Sequence, residues 1–198
     1  MTDPVAPAAI PAITGADARA QPGALIDEQG RAEPSMAAEE RQTLTGFLDY
    51  QRATLHWKVS GLTTEDLQLR VAASTMTLGG ILTHLAWVEE HWFTGMFLGQ
   101  DLPEPWAQAD WTADPDWEWS LAAQQSPAQN FALWQQAVAR SRGTLTRADG
   151  LDALASRGWP DGQCPSLRWI VVHMIEEYAR HNGHADLIGE AIDGSTGE

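Results

Sequence analysis

The chain has 198 residues, 43% of them apolar, and a formal charge of −15, which suits one domain with a sizeable core. That charge argues strongly against a nucleic-acid backbone or an anionic membrane as the main partner. Cys164 is the only cysteine, which excludes an internal disulfide and a cysteine-built zinc cage. With no basic-then-apolar leader and no run near ~18 apolar residues, the cytoplasm is the expected compartment.

Residues 1–34 are rich in Ala, Pro and Gly without sustained periodicity. They read as an extended or disordered arm, with docking onto the domain as the alternative. Residues 35–198 form the expected bundle domain. A first helix is predicted from a Ser35 cap to Gly61, with Leu44, Phe47, Leu48, Leu55 and Val59 as its core face. His56, near its end, reads as a surface or capping residue. Thr63 and Asp66 have capping-box spacing for a short helical turn.

Thr77 caps the second long helix, where Ile81, Leu85, Val88 and Trp92 form an inward stripe and His84 lies one turn from both Ile81 and Val88. His91 shares that face about 10 Å further along, too far for one metal to use both histidines. A tryptophan-rich connection full of Pro and Asp follows and reads as irregular. Within it Trp106, Trp111, Trp117 and Trp119 are expected to form a lid, whereas Trp87, Trp92, Trp134 and Trp169 read as packing residues. Ser126 and Pro127 open the third helix. Cys164 reads as a loop cysteine. The fourth helix begins at Ser166 and stops at Asp193-Gly194. The sum is all-α, a bundle of ~4 helices.

On the last helix Glu177, His181 and His184 fall within roughly 40° of the line through Ile170 and Ile188. They therefore sit on the buried stripe, where an unpaired charge costs on the order of 3 to 5 kcal/mol. Spaced i, i+4, Glu177 and His181 can reach one cation. The alternatives are a hydrogen-bonded Glu–His pair and a solvated groove. Adding His84 gives a His/Glu/His set with an open coordination position, as in catalytic rather than structural sites. His173, at the edge of the stripe, is either a proton carrier or a flank residue. Arg168 and Arg180 could hold a cofactor carboxylate or pair with surface acids.

The segments "TLGGILTHLAWVEEHWF" and "LRWIVVHMIEEYARHNGHADLIGEAIDG" resemble the DinB superfamily, which includes YfiT-like proteins and a mycothiol-dependent maleylpyruvate isomerase. "RATLHWKVSGL", "GGILTHLAWVE" and "EEYARHNGHADL" resemble, more narrowly, its mini-circle branch. The resemblance covers about residues 37–194. It implies an up-down-down-up four-helix bundle in which His84 takes the helix-two ligand position and His181 the final one. Glu177 stands where many relatives have histidine and where the isomerase has glutamate. His184 replaces a glutamine or aspartate, which leaves open whether it joins the metal set.

The function expected is a divalent-metal-dependent enzyme acting on a small molecule, with a thiol-dependent S-transferase or isomerase as its leading form. Zinc leads as the metal, with nickel, iron and manganese as alternatives, and a low-molecular-weight thiol such as mycothiol as the second cofactor. A non-haem iron oxygenase and a non-catalytic metal-binding stress-response module are the competing readings. A homodimer is the alternative to a monomer.

Overall fold

The computed structural model describes residues 9–11 and 24–196. Among these there is no strand, only two isolated bridges, Ile26 with Ala32 and Leu154 with Ser166. Four long helices carry the molecule: α1 (Glu40–Val59), α3 (Leu78–Glu89), α5 (Pro127–Arg147) and α6 (Leu167–Asp193). The short α2 (Thr64–Leu67) and α4 (Trp117–Ala122) lie in the connections. No helix is long and apolar enough to cross a membrane among the described residues.

Side-chain pairs fix the helix directions. Glu40 meets Arg168 and Lys58 meets Asp186, so α1 and α6 run parallel. Gly79 lies against Asn130 and Glu90 pairs with Arg140, so α3 and α5 also run parallel. His84 faces His181 and Trp92 faces His173, which makes α3 antiparallel to α6. The order is up-down-down-up.

Local chemistry accounts for the ends. The Thr63–Asp66 capping box starts α2, Ser126 and Gln129 form another at α5 with Pro127 in the first turn, and Ser166 caps α6 by accepting from the Trp169 N–H. Gly194 closes α6 in the left-handed conformation at φ 76°. The first helix begins later than expected. Glu39, not Ser35, is its cap, its carboxylate accepting from the Arg41 and Gln42 N–H groups. The connection after α3 is more regular than its Pro and Asp content suggests, holding a 3₁₀ turn at Trp106–Gln108 as well as α4. Beyond Glu89, α3 continues as a π-helix over Glu90–Phe97.

Two further expectations, both on α1, are revised. Phe47 is 46% exposed, because the inward stripe runs Leu48, Arg52, Leu55, Val59 and places an arginine where an apolar residue was expected. His56 is buried, its Nε2 3.0 Å from the Pro11 carbonyl oxygen and its ring 4.6 Å from Phe131. Of the described arm residues, Ile10 and Arg31 are buried against the domain while Leu25 and Ile26 are exposed. Ile10 is buried in the core, its carbonyl accepting from Gly61 N–H, and buried Arg31 donates to Thr54 while lying 5.2 Å over Trp57. The rest of residues 1–34 lies outside the described residues.

Buried Arg52 grips Glu89 with two hydrogen bonds, Nε to Oε1 at 2.7 Å and Nη2 to Oε2 at 2.8 Å, and also donates to Ser141 Oγ. Tyr178 donates its hydroxyl to the same Glu89 and accepts from the Trp134 indole. All four long helices thus meet in one polar brace. Every charge in it is paired, as burial requires. Burial and the Glu89 carboxylate hold the Tyr178 phenol well above its usual pKa.

Candidate metal centre

The brace fixes Tyr178, and with it the turn of α6 that carries Glu177 and His181. Across from them α3 presents His84. Ligand atoms of His84, Glu177 and His181 all lie within 4.8 Å of one another, and the two imidazole centroids are 4.7 Å apart. Donor atoms around a tetrahedral ion at about 2.0–2.2 Å are roughly 3.4 Å apart, so small side-chain rotations bring these three onto one ion. His181 Nδ1 is buried with no hydrogen-bond partner, and His181 Nε2 lies 3.6 Å from Glu177 Oε2. Hydrogen bonding from His181, and then the charge of His173, hold the Glu177 carboxyl below its usual pKa. An ionised carboxylate with two imidazoles is a donor set that fits zinc and its first-row neighbours.

Glu118, on α4, completes the site from outside the bundle. Its Oε1 lies 3.1 Å from His84 Nδ1, which leaves Nε2 as the free nitrogen of that ring. A carboxylate behind a ligating histidine fixes its tautomer and orientation. Trp119, the next residue, stacks on His84 at 5.0 Å and 21°. The bare Cα of Gly80 makes room for that indole, since a Cβ there would fall 2.4 Å from Trp119 Cε3. Sequence reasoning missed Glu118. It is 34 residues from His84, and no periodicity links an acid of the α3–α5 connection to a histidine of α3.

The other candidates separate. His184 lies outside the cluster, its ring 5.6 Å from His181, with burial pulling its pKa down. His173 reaches the edge of the site, Nε2 being 3.5 Å from Glu177 Oε1, while its ring stacks on Trp169 at 5.0 Å. Arg180 is engaged by Glu176 on the surface. Arg168 pairs with Glu40 and Asp152, thirteen residues and so about 20 Å along α6 from His181. It ties helix starts together and does not reach the cluster. Of the expected lid, Trp119 covers His84 and Trp111 packs on Trp87 at 5.4 Å, whereas Trp106 is buried in the core and Trp117 packs edge-on against it.

An up-down-down-up bundle with a His/Glu/His cluster between α3 and α6 defines a DinB/YfiT-like metal-binding protein. Residues 43–194 match the family model described as Mycothiol-S-transferase, and the chain belongs to that family. Membership implies mycothiol-dependent S-transferase activity on a small-molecule partner. No curated protein matches the chain.

Proposed function

We propose that His84, Glu177 and His181 hold one divalent ion, and that the sulfur of mycothiol is activated there for transfer to a small electrophile. The observation that carries this reading is the convergence of three ligand atoms within 4.8 Å in a chain of a thiol-transferase family. Zinc leads nickel, iron and manganese because it accepts imidazole, carboxylate and sulfur together. When bound, such an ion lowers the pKa of a thiol and so supplies a nucleophile near neutral pH.

The residues around it have separate tasks. Glu118 fixes the His84 ring, and Trp119 covers it against water. His173 stands between Glu177 and the half-exposed Glu176, 3.5 Å and 3.4 Å away respectively, and carries the thiol proton outward. His184 stays out of the ligand set, which keeps a coordination position open for sulfur. We assign the chain to the mini-circle branch on "RATLHWKVSGL" and "EEYARHNGHADL", take residues 35–198 as the functional unit, and place its work in the cytoplasm as a monomer, with a homodimer as the alternative.

The test is mass spectrometry of the S-conjugate formed from mycothiol and an alkyl halide. Conjugation should run well above the uncatalysed rate, stop on chelation and return with zinc. An undiminished rate in fully chelated protein would overturn the reading.

A further inference from the structure

A cleft of about 910 Å³ opens between the short α2, the first turns of α3 and α5, and α4. That volume lies within the roughly 300–1,000 Å³ that small-molecule sites span. None of the three candidate metal ligands lines it, but Trp119 belongs to both places. One face of its indole lies on His84, and its Cε3 and Cζ3 atoms fill the space beside Gly80. The remainder lines the cleft.

Four carboxamides and four hydroxyls line the cleft, against two charges of opposite sign, Arg70 and Asp116. A carboxamide or a hydroxyl both donates and accepts, so this wall matches a ligand whose own groups do the same. Two acceptors of the wall have no partner among the described residues. Asn130 is 2% exposed, and its Nδ2 donates to the Ala122 carbonyl oxygen at 3.1 Å while its Oδ1 accepts nothing. Gln125 Oε1 is likewise buried and unpaired. Buried acceptors normally find a donor, and a ligand hydroxyl supplies one to each.

An anion fits the cleft less well. Both α3 and α5 begin there, and the N–H groups of a helix start favour negative charge. Yet the Thr77 and Ser126 hydroxyls already accept from the Gly80 and Gln129 N–H groups, Pro127 carries no N–H, and Asp116 offsets Arg70. We propose that the cleft binds an uncharged, hydroxyl-rich ring, a sugar or a cyclitol, held by the carboxamides of Gln125 and Asn130 with the Trp119 indole against its C–H face. The site stands apart from the S-transfer reading, since none of its residues is a candidate metal ligand. Two sources carry this chemistry: a free sugar or cyclitol, and mycothiol itself, the thiol of the family, whose body joins a sugar to a cyclitol.

The experiment titrates the full chain with myo-inositol, methyl glucoside and inorganic phosphate, following by NMR the side-chain amides of Gln125 and Asn130 and the indole N–H of Trp119. The two neutral rings should shift all three signals saturably, and phosphate should shift none. Gln125→Ala should weaken ring binding about fivefold to tenfold, the scale of one hydrogen bond. A melting curve for that variant keeps a lost fold from passing as lost binding, and the wild-type titrations decide the question without it.

Mycothiol, added last, separates the sources. If it moves the Gln125 and Asn130 signals and competes with myo-inositol, the cleft holds the body of the thiol. If the free rings bind and mycothiol leaves those signals unmoved, the cleft serves a separate ligand. Rings that shift none of the three signals, or shifts that phosphate alone produces, refute the site. Conjugation of mycothiol in a protein that binds neither ring refutes the cleft alone, whereas ring binding without any conjugation leaves the cleft standing while the S-transfer reading fails.

Discussion

Glu118 Oε1 lies 3.1 Å from His84 Nδ1, and this contact joins the short α4 to the candidate ligand histidine of α3. Because Glu118 is buried and its Oε2 has no partner of its own, the carboxylate is committed to this one ring. Glu118→Ala should therefore free the imidazole without touching a ligand. A fall of about 10–100-fold in metal affinity is expected, the usual scale for losing such a partner, measured by competition with a chromophoric chelator.

Gly80 serves the same ring by leaving room for Trp119, which stacks on it. Gly80→Ala would drive a methyl group into Trp119, at a cost of about 1–3 kcal/mol for overpacking. Chemical denaturation measures the loss, and near-UV circular dichroism should change as the indole leaves His84. A variant with unchanged stability and spectrum would show that Trp119 seats itself by other means.

The helices were legible in the sequence because their signals are local. Thr63, Thr77, Ser126, Ser166 and Gly194 cap as their residue types predict, since capping is settled within three or four residues. Glu177, His181 and His84 were legible as polar residues on apolar stripes, with the family resemblance supplying the pairing between helices. What escaped detection depends on long-range partners. Arg52 fits the stripe of α1 only because Glu89 and Ser141 meet it there, and Ile10 joins a core built from residues distant in sequence. Arg168 looked available for a cofactor until Glu40 and Asp152, distant in sequence, claimed it.

The Arg52–Glu89 pair gives a test by difference. Glu89→Ala alone strands a buried guanidinium and should cost about 3–5 kcal/mol, whereas Arg52→Met with Glu89→Leu removes both charges. Denaturant midpoints should place the double variant above the Glu89→Ala single. A double variant as unstable as the sum of its singles would contradict the brace as described.

His91 sets a pH dependence. Burial, then the neighbouring His173, depresses its pKa in the folded protein. Below about 6.5, the ordinary histidine value, the unfolded chain takes up a proton that the folded chain resists. Its contribution is thus intact above that value and is lost as the pH falls toward the folded pKa. Thermal melts between pH 7.5 and 5 should show wild type losing stability faster than His91→Gln, and parallel curves would remove His91 from the account.

Elemental analysis of the purified protein and three variants tests the ligand assignment most directly. Wild type should carry about one divalent metal per chain, and so should His184→Ala, while His84→Ala and His181→Ala should lose most of it. Metal content that survives in both of the last two variants, or that disappears with His184→Ala alone, would contradict the His84–Glu177–His181 centre.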